Sequence, residues 1–172
     1  MIVSLIKYSY DGLVSHLNKD DKIILFACNT CIKFCDIGGR VRTRHLAEKL
    51  KSDGYNVIRE ESVGAACLLD QIEKKKADEA TAKAFEDASV IIPLVCEDGL
   101  DNIKRVFPNA KAISVIKTIG LGIFSTEKGM VLTMPFEFTG LERNIDGYSL
   151  DDVAEKVGCY TGPYFDGNKV QE

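Results

Sequence analysis

The sequence predicts an α/β protein with one mainly parallel sheet, and three observations lead there. Segments of strand length recur at 22–27, 55–62, 89–95 and 112–116. Helical segments with apolar positions three and four apart separate them. The run Ile23-Ile24-Leu25-Phe26 lacks any alternation of apolar and polar residues, the pattern of a strand covered on both faces. Strands and helices alternating in this way are joined by right-handed crossovers. The expected architecture is therefore a single doubly wound sheet, Rossmann- or flavodoxin-like, with a C-terminal hairpin or irregular extension. With 172 residues and 45% hydrophobic content, the chain is expected to bury a core unaided as one domain over 1–172.

Each element has its own signal. Leu13, Val14 and Leu17 share a face of a short helix over 10–17, which the polar turn Asn18-Lys19-Asp20-Asp21 ends. Residues 22–27 are the first and central strand. Leu46, Ala47 and Leu50 form the apolar side of a helix over 41–52, with Gly54 placed as its stop. Leu68, Leu69 and Ile72 give the next helix its stripe, and Lys74-Lys75-Lys76 reads as its solvated face. An Ala-rich helix follows over 79–88. Pro93 removes a ladder donor from the strand at 89–95, so that strand carries a bulge or Pro93 sits near its end. Leu100, Ile103, Val106 and Phe107 turn inward on another helix, before the strand at 112–116. Beyond it, 119–124 and 130–134 resemble a hairpin or an irregular extension. Ser149 and Asp152 mark a helix start and Gly158 its stop; the tail from Cys159 is expected to be loose or laid against a partner.

A net charge of −4 without a basic stripe points away from nucleic acid and anionic membranes. No apolar run approaches the roughly 20 residues of a membrane span, and the first nine residues are too short for a secretory signal. The expected setting is the cytoplasm. Six cysteines there read as thiols or metal ligands rather than disulfides.

Their positions carry the chemistry. Cys28, Cys31 and Cys35 follow the first strand, Cys67 follows the second, and Cys96 closes the third. If the first strand lies between the other two, all five thiols reach one sheet edge, since neighbouring strands are about 4.8 Å apart. That ligand count suits a [4Fe–4S] cluster or a zinc site. Gly38-Gly39 allows close backbone approach to such a centre, and nearby N–H groups are placed to donate to it. No catalytic residues are assigned: there is no Ser-His-Asp grouping, HExxH motif or P-loop, and Gly120-Leu121-Gly122 lacks the third glycine of a dinucleotide fingerprint. A nucleophilic cysteine is the remaining enzymatic alternative.

The stretch from Cys28 to Gly39, the helix containing Arg44-His45-Leu46-Ala47-Glu48-Lys49-Leu50, Cys67, and Val95-Cys96-Glu97-Asp98-Gly99 together resemble the methylenetetrahydrofolate reductase C-terminal domain. That domain is also the small, MetV-type subunit of bacterial methylenetetrahydrofolate reductases. The resemblance covers roughly 22–122. Where the family continues into a second cysteine-rich segment, this chain keeps only Gly158-Cys159-Tyr160-Thr161-Gly162-Pro163. The resemblance implies an iron–sulfur electron-transfer subunit that serves one-carbon metabolism. It implies two partners, a catalytic flavoprotein subunit that receives electrons and a ferredoxin-type donor. A structural zinc module in such a complex is the alternative.

Overall fold

In the computed structural model, which describes residues 1–162, the strands form two sheets. The parallel sheet has the order β3 (Asn56–Val63), β2 (Lys22–Cys28), β4 (Val90–Leu94), β5 (Lys111–Ala112). The antiparallel sheet has the order β1 (Ile2–Ile6), β6 (Ile116–Ser125), β7 (Gly129–Pro135), β8 (Tyr148–Ser149). The helices are α1 (Tyr10–Val14), α2 (Cys31–Phe34), α3 (Gly39–Ser52), α4 (Leu69–Ala77), α5 (Glu79–Asp87), α6 (Glu97–Val106) and α7 (Leu150–Val157).

The single doubly wound sheet is therefore corrected to a parallel sheet plus a separate antiparallel one. The cause is long-range pairing. Residues 2–6 join β6, with Ile2 opposite Leu121 and Ile6 opposite Ile116, although over a hundred positions separate them. Ser4 and Thr118, both buried on these strands, bring their hydroxyls to 3.4 Å, so neither is left unpartnered in the apolar interior. The expected strand at 112–116 divides: Lys111–Ala112 pairs with β4, while Ile116 already belongs to β6. Residues 119–135 form the hairpin β6–β7, irregular where the register shifts between Leu121 and Gly122.

β2 is buried on both faces and pairs in parallel with β3 on one side and β4 on the other. Helix α3 covers one face, its side chains bonding Glu60 and Ser62; Lys75 of α4 and Thr81 of α5 meet Glu61 on the other. Phe85 stacks on Phe107 at 3.7 Å and meets Phe26 edge-on. Pro93 lies near the end of β4. The Ile91 carbonyl accepts from Ile113 N–H, so odd-numbered positions of β4 face β5, and Pro93 falls past the last residue β5 pairs. One apolar core joins both sheets, running from Val3, Leu5 and Ile119 to Ile24 and Phe26. No helix among the described residues is long and apolar enough to cross a membrane. Of the expected loose tail, Tyr160 is bonded to Ile6 in both directions at 2.9 Å, and residues 163–172 lie outside the described residues.

Glu61 is the buried carboxylate of this frame. Arg59 Nε donates to it at 2.6 Å and Lys75 Nζ at 2.7 Å. Burial pushes its carboxyl up, but the Lys75 and Arg59 hydrogen bonds outweigh that and hold it below the usual range. A depressed carboxylate stabilises the fold above its unfolded value and loses that contribution as pH falls through its folded value. Glu61→Gln is expected to cost about 2 kcal/mol at pH 7, less than a fully enclosed pair because both cations are about one-third exposed. Urea unfolding of wild type and variant checks this; the gap should narrow below about pH 4, near the ordinary glutamate value.

Candidate thiol site

The site forms at the carboxyl edge of the parallel sheet, where ligand sites of such sheets are found. Cys28 ends β2, Cys67 lies in the loop between β3 and α4, and Cys96 caps the start of α6 just after β4. Parallel pairing of β2 with both neighbours brings these loops together. Cys28 and Cys96 are buried, Cys67 is exposed, and all six cysteines are free.

Hydrogen bonds lace the loops. Asn29 sends its backbone N–H and its side-chain amide to the Val63 carbonyl, at 3.0 and 2.9 Å. The Thr30 hydroxyl donates to the Gly64 carbonyl at 2.5 Å, and the Cys28 thiol approaches the same oxygen at 3.6 Å. The amide of Asn102, on α6, donates to the carbonyls of Ala66 and Cys67 at 3.0 and 3.1 Å. Gly99 lets α6 sit this close: a Cβ there would stand 2.8 Å from that of Ala66. Asn29 and Asn102 were not legible as site residues in the sequence; a single amide on a loop or an exposed helix face has no periodic or spacing signal.

Electrostatics separates the thiols into two groups. Burial pushes the Cys96 thiol up; Cys28, Asp98 and Cys67 add to the rise, and the Gly99 N–H offsets part of it. Cys28 and Cys67 thus both lie within electrostatic reach of Cys96. Cys35 belongs elsewhere. Its buried sulfur sits against the edge of β1, accepting from Ser4 N–H and lying 3.9 Å from the Ile2 carbonyl. It occupies the place of a missing neighbouring strand. Burial raises this thiol to about 11, with Cys31 adding to the rise. Cys31 begins α2, half-buried, one helical turn before Cys35 and three residues after Cys28. Cys159, also raised by burial, lies far along the chain beside Lys117 and Lys7.

The glycine pair closes the turn after α2. A Cβ on Gly38 would meet Ile32 Cγ2 at 2.4 Å and the Leu94 carbonyl at 3.3 Å, and Gly39 has φ +79°. Both contacts are packing against α2 and β4. Asp36, at φ 59°, is held by Arg42 through two bonds at 2.8 Å. Among the described residues, no three His, Cys, Asp or Glu side chains stand close enough to hold a metal ion.

Compared with models of protein families, with curated proteins and with solved structures, the chain matches none.

Iodoacetamide at pH 8 is expected to modify exposed Cys67 first and Cys35 last. A thiol near 11 is about 0.1% thiolate at that pH, roughly a hundredfold less than an ordinary cysteine. Peptide mass spectrometry over time checks the order; equal labelling of Cys35 and Cys67 would contradict the enclosed placement of Cys35.

Proposed function

We propose that this chain is an iron–sulfur redox subunit that holds a [4Fe–4S] cluster at the carboxyl edge of its parallel sheet. In this reading it passes electrons to a flavoprotein partner, in the manner that resemblance to MetV-type subunits of methylenetetrahydrofolate reductase implies. The observation that carries the proposal is that Cys28, Cys67 and Cys96, from three separate segments, share one edge, with Cys28 and Cys67 both raising the Cys96 thiol. Cys31, three residues after Cys28, is the fourth donor in this reading, although it also lies beside Cys35, whose thiol it raises. Thiols at this count suit iron–sulfur or zinc chemistry. Among the described residues the sulfurs are not preassembled around one point.

A bound cluster supplies one-electron transfer. The chain's own residues orient and shield the donors. Asn29 and Asn102 fix the Cys28 and Cys67 loops, buried Ile32 and Val95 pack against Gly38 and Gly99, and the Gly99 N–H offsets part of the burial that disfavours the Cys96 thiolate. Cys35 stays on the β1 edge and is no ligand. Six free cysteines accord with a reducing cytoplasm as the setting.

Anaerobic purification or reconstitution is expected to give brown protein with near-equal iron and sulfide. Cys28→Ser, Cys67→Ser and Cys96→Ser should each lose most of the iron, whereas Cys35→Ser should retain it. Colourless protein carrying zinc would replace the cluster with a structural metal. Loss of iron from Cys35→Ser alone would overturn the ligand set.

A further inference from the structure

A cleft of about 750 Å3, within the range of small-molecule sites, is lined by α2, the β6–β7 hairpin and the start of α7. Its aromatic surface comes from Phe34 and Phe124, 41% and 43% exposed, and Met130 and Leu150 add to the apolar lining. The two rings are 4.9 Å apart and tilted by 57°, which leaves no slot between them. A flat ligand therefore lies along the pair and removes apolar surface of both from water. The lining is open at Gly129, where a Cβ would meet nothing within 4 Å.

The charged lining is balanced, and each sign comes from its own elements. Asp36 is paired with the Arg42 guanidinium at 2.8 Å. Lys33 on α2 and Lys128 in the β6–β7 turn, both exposed, form no ion pair among the described residues. The same holds for Asp146 and Asp151, which lie on either side of β8. The Thr161 hydroxyl that donates to Asp151 is neutral and leaves that carboxylate its charge. Two cations thus stand against two carboxylates. A monoacid would gain the lysines but meet both carboxylates, and a monoamine would meet the reverse. A molecule with one group of each sign beside an aromatic ring answers the whole lining. We infer that this cleft binds a free aromatic amino acid as its zwitterion. Its ring lies on the Phe34–Phe124 pair, its carboxylate toward Lys33 and Lys128, and its ammonium toward Asp146 and Asp151.

The probe is L-tryptophan, titrated into the full chain and followed by amide chemical shifts. Metal-free and metal-loaded protein are titrated in parallel, which keeps the outcome separate from that of the cluster test. Saturable shifts centred on Gly129, Gly147 and Leu150 are expected. Tryptamine, which lacks the carboxylate, and indole-3-propionate, which lacks the ammonium, should each bind roughly threefold more weakly, a ratio within reach of one exposed ion pair. Phe124→Ala should weaken all three ligands by a similar factor. Lys128→Glu should weaken tryptophan and strengthen tryptamine, whereas Asp146→Lys should weaken tryptophan and strengthen indole-3-propionate; both positions are exposed, so neither change disturbs the core. No saturation at about ten millimolar, shifts centred elsewhere, either analogue binding as tightly as tryptophan, or charge reversals that leave the order of affinities unchanged would each overturn the assignment.

Discussion

Parallel pairing of β2 with β3 and β4 is the constraint on which the remainder depends. It places the ends of three strands side by side, so loops separated by dozens of residues share one edge. β2 can occupy the centre because Ile23 to Phe26 is wholly apolar and loses nothing by being covered on both faces. Neighbours on either side satisfy its backbone groups. Helices on each face then give the sheet its interior, with Phe26, Phe85 and Phe107 linked through ring contacts.

At the edge itself, a few polar groups do what the sheet cannot. Strands bring loops near, but side-chain amides set their spacing. Asn29 ties the cysteine loop to the end of β3, and Asn102 ties the next loop to α6, whose first turn begins at Cys96. The Asn102 amide partners the loop carbonyls of Ala66 and Cys67, and the Asn29 amide gives the Val63 carbonyl a second donor beside the Asn29 backbone N–H. Gly38 and Gly99 matter here for what they omit, since a side chain at either would push apart two backbones that meet.

The antiparallel sheet gives the cysteine segment two environments. Residues before α2 lie at the parallel edge, while Cys35 at its far end meets β1, an edge strand that Tyr160 also bonds at Ile6. The short helix thus bridges the two sheets. Phe34 continues that bridge by touching Phe124, and the cleft lies beneath the contact.

Composition and pattern alone determined the first three parallel strands, most helices and the placement of thiols after strands, because periodicity records burial and cysteine spacing is visible in a linear chain. Pro93 near a strand end was one of two readings already open, and its position past β5 decided between them. The second sheet was not legible. Ile2 to Ile6 carries too few residues to show its strand period, and its partner lies more than a hundred positions along the chain. Nor did spacing separate Cys35 from Cys28. Residues close in sequence are close in space under any fold, so only the tertiary structure decided that the Cys28 thiol lies at the sheet edge by Gly64 while Cys35 turns to the outer flank of β1.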